Sequence, residues 1–162
     1  MAEEVQRDVA AGTLYLSDRL SRTGSSDYPT LLGEAVNGQN DDWLATQLRQ
    51  GGRINATEQR RKPKGGYATV SVPVTAAETL AEGEFNRFYI RGLCLRAIAD
   101  GITELEVYRA KVVDSPRSES QRKIGSKVDP TTLLNDLRAN PGVDTALGLP
   151  AGPNSGLSVK LP

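Results

Sequence analysis

Histidine is missing from this chain altogether, cysteine occurs once, at Cys94, and no group of carboxylates stands at a metal-ligand or acid/base spacing. Imidazole is the side chain best matched to proton transfer near neutral pH, and metal or thiol centres draw on several convergent His, Cys, Asp or Glu. Most hydrolase and metalloenzyme chemistries therefore fall away, and no enzyme activity, metal or organic cofactor is expected. A lone cysteine makes no intrachain disulfide, and the acidic start, Met1 to Glu4, is unlike the basic opening of a signal peptide. No apolar run approaches the ~20 residues that span a bilayer. These absences read as a chain made in a reducing cytoplasm with no membrane partner. Aromatics are scarce at 5%, so the core has to be built from Val, Leu, Ile and Ala. An excess of either charge is lacking too. The 20 basic and 20 acidic residues cancel, which removes the global attraction that free nucleic-acid binders show, and any anion binding has to be local.

What is present fits a single domain: 162 residues are enough to bury about two-thirds of the unfolded surface around one core. Residues 1–52 read as mostly helical. Over Glu3 to Ser21, Val5, Val9, Leu16 and Leu20 recur at near-helical spacing and a helix is expected, although Gly12 interrupts it and Thr13 to Leu16 could be extended instead. Ser25-Ser26-Asp27 offers caps for a short helix with Pro29 in its first turn. Asn40 or Asp41 caps a third, which carries Trp43, Leu44, Ala45 and Leu48 and stops at Gly51-Gly52.

Residues 53–66 carry Arg53, Arg60, Arg61, Lys62 and Lys64 against the single acid Glu58, without apolar period, and read as an extended basic loop. In Tyr67 to Val74, Ala68, Val70, Val72 and Val74 alternate with Tyr67, Thr69 and Ser71, the period of a strand that Pro73 places near an edge or its end. Thr75-Ala76-Ala77-Glu78 has the form of a capping box. Behind it a central helix carries Phe85, Phe88, Ile90, Cys94 and Ala97, with Gly83 a candidate break. Glu104 to Val113 reads as a second strand, with Leu105, Val107, Arg109 and Lys111 on one face. The order strand, helix, strand is long enough for a right-handed crossover. Ser118 to Gln121 is a second possible capping box, and Asp129-Pro130 supplies cap and first-turn proline for a helix with Leu133, Leu134 and Leu137. The class is α+β: a small mixed sheet with helices packed on it, residues 67–142 forming the strand-helix-strand-helix core. Residues 143–162 are rich in Gly and Pro yet keep Leu147, Leu149, Leu157, Val159 and Leu161. They are expected to form an extended C-terminal arm that docks as a strand, on its own sheet or a neighbour's.

Guanidinium groups make bidentate, charge-assisted hydrogen bonds to phosphate, so Arg53, Arg60, Arg61, Lys62 and Lys64 could follow a nucleic-acid backbone with Tyr67 as a stacking surface. Charge runs are commonly solvated, and the same segment could instead keep a loop soluble or meet an acidic patch on another subunit. Arg87 and Arg91 lie one helical turn apart, with Arg109 on the following strand. They could clamp an anionic ligand, but charges near a core need partners, and pairing with Glu78, Glu82, Glu84, Glu104 or Glu106 is the preferred expectation. Val107-Tyr108-Arg109 with Ser118-Glu119-Ser120 is similar to ADP-ribosyltransferases only in a strand arginine, a later serine and a glutamate, at too tight a spacing. Cys94, mid-helix among Leu93, Leu95 and Ile98 and without an activating imidazole, reads as a small core residue.

Two stretches, Glu82-Gly83-Glu84-Phe85-Asn86-Arg87-Phe88-Tyr89-Ile90-Arg91-Gly92 and Leu149-Pro150-Ala151-Gly152-Pro153-Asn154-Ser155-Gly156-Leu157, resemble segments of small structural proteins from tailed-phage and prophage virion gene clusters. The resemblance implies a structural role in a virus particle, in or beside the head, and transfers no functional residue. It agrees with the residues read alone: a neutral domain with a basic segment and an apolar arm has the parts of an oligomeric subunit that binds copies of itself or other virion proteins. The contact segments on this expectation are Arg53 to Lys64 and Leu147 to Leu161. A nucleic-acid-binding module using Arg53, Arg60, Arg61, Lys62 and Lys64 is the alternative.

Overall fold

A computed structural model describes residues 1–111, 115–142 and 156–162. Six helices and five short strands follow in the order α1 (Ala2–Ala11), α2 (Arg22–Gly38), α3 (Asp41–Arg49), β1 (Thr57–Arg61), β2 (Tyr67–Ser71), α4 (Ala76–Ala99), β3 (Leu105–Arg109), α5 (Ser118–Lys123), β4 (Lys127–Val128), α6 (Pro130–Ala139) and β5 (Leu157–Lys160). The class is α+β, as the sequence implies.

Caps set several of the boundaries. The helix expected over Glu3 to Ser21 stops at Ala11, because Gly12 adopts the left-handed conformation that closes α1, and Thr13 to Leu16 lies outside any helix. The second helix starts earlier than Ser25-Ser26-Asp27 suggests, because the Ser21 hydroxyl accepts from the Gly24 amide at 3.1 Å; Pro29 therefore falls inside the helix. The helix buries Tyr28, Leu31, Leu32 and Ala35 around that proline, which outweighs the hydrogen bond it forfeits. Asn40 caps α3 through the Trp43 amide at 2.8 Å, and Asp129 caps α6 through Thr132 at 2.7 Å with Pro130 behind it.

Two sequence expectations for α4 are corrected. Thr75 makes no side-chain cap, since its backbone is already near helical and Glu78 is held by Arg49 instead of reaching back. Nor does Gly83 break the helix, which runs unbroken for 24 residues. A glycine costs a helix only ~1 kcal/mol, and the flanking Leu80, Ala81, Glu84 and Phe88 are all buried. Apolar positions lie all round α4, as befits the helix on which both halves of the core are built. One apolar cluster joins α1, α2 and α3 to its first half through Tyr28, Leu32, Leu44, Leu48 and Phe88. The other joins its second half to α6 and a sheet through Ile90, Cys94, Leu105, Val107, Leu137 and Leu157.

That sheet has the order β4-β3-β5, and both its pairings are antiparallel. The crossover expected between Tyr67–Val74 and Glu104–Val113 is not made, because β2 pairs with β1 in a separate two-stranded sheet. The segment read as a basic loop over 53–66 is thus largely one strand and the turn of a hairpin. Val74 leaves the strand and is 91% exposed. At the other end of the chain, β5 lies along β3 with Val159 opposite Val107 and Leu157 opposite Arg109, so the C-terminal strand docks on its own sheet. Ser118 likewise opens α5 without a side-chain cap, the boundary residue being Arg117.

Candidate interaction site

Among the described residues the hairpin of β1 and β2, like the short α5, contributes no side chain to either apolar cluster. In an antiparallel pair, opposed residues share a face. The register sets Thr57 opposite Ser71, Gln59 opposite Thr69 and Arg61 opposite Tyr67, and all six side chains on that face are exposed. The reverse face carries Glu58, Arg60, Ala68 and Val70, of which only Arg60 is fully exposed. Gly65 and Gly66 take positive φ in the turn, which Lys62 and Gly66 close with a backbone hydrogen bond of 3.0 Å.

The root of the hairpin is fixed to the segment before α2. Leu20 and Ile54 form an isolated bridge, the Asn55 amide donates to the carbonyl of Arg19 at 2.9 Å, and the Asn55 side chain donates to that of Leu20 at 3.0 Å. Arg19 then grips Glu58 through two hydrogen bonds, of 2.6 and 3.2 Å, and Arg60 adds a third at 3.0 Å. These bonds, Arg19's foremost, hold the Glu58 carboxyl below its ordinary pKa. The only acid of the segment is therefore already neutralised from within.

The structure separates the five cations that the sequence grouped. Arg53 does not belong to the arm: its guanidinium donates to Asp27 at 2.7 Å and to the Gln47 carbonyl at 3.0 Å, clipping the chain after α3 onto α2. Arg60 is half committed, to Glu58. Arg61, Lys62 and Lys64 are exposed, with no side-chain partner among the described residues. Dense pairing elsewhere makes the contrast: Arg96 with Asp100, Lys111 with Glu82, and Lys127 and Lys160 with Glu106.

The C-terminal contact residues fare differently. Leu157 and Val159 are buried in the chain's own core, at 0% and 1% exposure, so as placed they offer nothing to a partner; Leu161 is half-buried at its edge. Leu147 and Leu149 lie outside the described residues.

The arginines considered as an anion clamp do not converge. Arg91 is completely buried and its fork is filled from α1: Nε donates to Glu4 at 2.7 Å and Nη2 to Asp8 at 2.9 Å, with the Phe88 ring centroid 4.7 Å from its guanidinium carbon. Arg138 of α6 donates to the same Glu4 at 3.0 Å. Burial alone would raise the Glu4 carboxyl; hydrogen bonds from Arg138 and Arg91 overcome it and hold its pKa at about 2. Arg87 pairs with Glu84 at 3.3 Å and donates to the Asn140 carbonyl. Here burial prevails over both arginines and pushes Glu84 up to about 7. Arg109, on the sheet, donates to Gln121.

Pairing of Arg87 with Glu84 was legible in the sequence, but the acids that satisfy Arg91 were not among those expected. A signal existed. Glu4 and Asp8 sit one turn apart, and the face they share also buries Val5, whereas Val9 is 45% exposed. Cys94 is buried, and its thiol is pushed up to about 12 mainly by desolvation, the environment of an inert core residue. Among the described residues no group of three or more His, Cys, Asp or Glu could hold a metal ion, and no helix is long and apolar enough to cross a membrane.

No protein-family model, curated protein or solved structure matches the chain.

Proposed function

We propose that this chain is a non-enzymatic subunit of a larger assembly, a head-associated component of a phage virion, which reaches a neighbouring subunit with the hairpin Thr57–Ser71. The observation that carries the reading is the hairpin's own economy. A two-stranded ribbon is marginally stable by itself in water, and among the described residues this one has no third strand and no share in the core. Each strand also leaves one edge of backbone N–H and C=O groups unpaired, a ready template for strand addition. The exposed face of Thr57, Gln59, Thr69 and Ser71 keeps that template soluble until a partner is met. The resemblance of two segments to virion structural proteins points the same way.

The experiment compares native mass for the full chain and for a variant in which Glu58 to Val70 is replaced by a short Gly-Ser turn. The core is untouched by the replacement, so the variant folds. The full chain is expected to sediment as multiples of its 17.4 kDa mass and the variant as a monomer. A full chain that stays monomeric at every protein concentration and ionic strength refutes the proposal.

A further inference from the structure

We infer that the tip of this hairpin is a docking surface for double-stranded nucleic acid, with Arg61, Lys62 and Lys64 on the phosphates and the exposed face of the ribbon turned into the major groove. The inference takes from the proposed function only that the hairpin projects as an arm. It assigns to the tip an occupant different from the subunit that meets the strand edges.

Charge partition is the first argument. From Thr57 to Ser71 the hairpin holds Arg60, Arg61, Lys62 and Lys64 against Glu58, a net charge of +3. The whole chain is neutral, so the remaining residues carry −3. A polyanion is repelled by the body and attracted by the arm alone, which orients the encounter tip first. Zero net charge, which argues against a free nucleic-acid binder, therefore conceals a strongly polarised molecule.

The state of those charges comes second. Most Lys and Arg side chains of the body are held by a carboxylate, whereas Arg61, Lys62 and Lys64 reach solvent without a side-chain partner among the described residues, and the acid of the same strand, Glu58, is held by Arg19 and Arg60. Binding phosphate there breaks no existing ion pair. Each contact releases condensed counterions instead.

Shape and surface chemistry come third. Two strands ~4.8 Å apart with their side chains make a ribbon that fits the ~12 Å major groove. The face it would present carries Thr57, Gln59, Thr69 and Ser71, hydroxyl and amide groups that donate and accept, with Arg61 and the 67%-exposed Tyr67 nearest the turn. No aliphatic side chain lies on that face, which disfavours a lipid surface. An acidic protein surface would satisfy the cations but gives no reason for a flat, polar, hydrogen-bonding face behind them.

The test is fluorescence anisotropy with a labelled 20-base-pair duplex and with one of its strands alone. Three phosphate contacts predict a slope of about −2.7 in log affinity against log salt, so that affinity falls about 40-fold between 50 and 200 mM salt. The duplex is expected to bind more tightly than the single strand. In Lys62→Ala/Lys64→Ala the slope should drop to about −0.9, with native mass unchanged. Arg122→Ala/Lys123→Ala, which removes two cations from the end of α5, should keep the parent slope. Absent or salt-insensitive duplex binding overturns the inference, as does single-strand binding at least as tight as duplex binding. So does a tip variant that loses self-association while the parent binds no duplex, since the tip then belongs to a second copy. Loss of oligomers in the variant lacking the hairpin bears on the proposed function only, so the two readings fail separately.

Discussion

Replacing Arg91 by Met tests whether the fold is pinned by charge inside its core. Arg91 is wholly buried and donates one hydrogen bond to Glu4 and two to Asp8, and its plane lies over Phe88. Methionine restores most of the volume but none of the donors. Glu4 keeps Arg138, and Asp8 keeps only the half-exposed Arg7 at 3.1 Å. Removing one partner of a buried pair costs about 3–5 kcal/mol, because the remaining carboxylate stays dehydrated without compensation. Against the ~5–15 kcal/mol of a domain this is a third or more of the total, and it lowers the melting temperature by on the order of 10 °C. Urea titrations followed by circular dichroism measure it. Acid behaviour supplies a second readout. Since the folded pKa of Glu4, about 2, lies below its ordinary 4.5, its stabilisation is complete above pH ~4.5 and is lost as pH falls toward 2. With one of its two arginines gone, that acid limb becomes shallower. The triple change Glu4→Met, Asp8→Leu, Arg91→Met recovers most of the loss, because an apolar filling of similar volume replaces the whole cluster. A cost for Arg91→Met below ~1 kcal/mol would refute the reasoning.

Glu84 behaves in the opposite sense. Its folded pKa, about 7, lies above 4.5, so stability declines as pH rises from ~4.5 through 7, by on the order of 3 kcal/mol. Glu84→Gln should level that limb in urea midpoints taken between pH 5 and 8, and parallel profiles for the two proteins would contradict it. Two glycines in helices should respond with opposite signs in the same assay. A Cβ on Gly24 would lie 2.1 Å from the Arg53 carbonyl oxygen, so Gly24→Ala is expected to cost about 1–3 kcal/mol. Nothing stands within 4 Å of a Cβ on Gly83, and Gly83→Ala should gain about 0.5–1 kcal/mol.

Local chemistry was legible in the sequence wherever a few adjacent residues decide the outcome. Asn40 and Asp129 cap the helices they precede, and the alternation of Leu105 and Val107 marks the buried face of β3. Failures occurred where a distant residue decides. The box at Thr75 and Glu78 was not made because Arg49, 29 residues away from Glu78, competes for the carboxylate. Gly83 lies in an unbroken helix because burial on both sides exceeds its intrinsic cost. The basic segment hid β1 because Thr57-Glu58-Gln59-Arg60-Arg61 has no apolar alternation to detect; both its faces are polar, and only pairing with β2 makes it a strand. Arg53 was grouped with Arg60 by proximity in the chain, yet its partners lie on α2 and α3. Composition could not separate a cation that clips the body together from one that reaches into solvent.

That separation is what gives the arm its meaning. Four like charges within a few residues of a two-stranded ribbon repel one another and weaken an element that is already marginal. Among the described residues the repulsion is countered at the root, where Arg19 and Arg60 share Glu58, and no carboxylate reaches the tip. Buried arginines in the same molecule show the alternative carried through: Arg91 is surrounded by carboxylates from an element 83 residues away in sequence. A chain that neutralises its interior charges so completely, and leaves Arg61, Lys62 and Lys64 bare on its least supported element, has placed there the charges whose partner comes from outside.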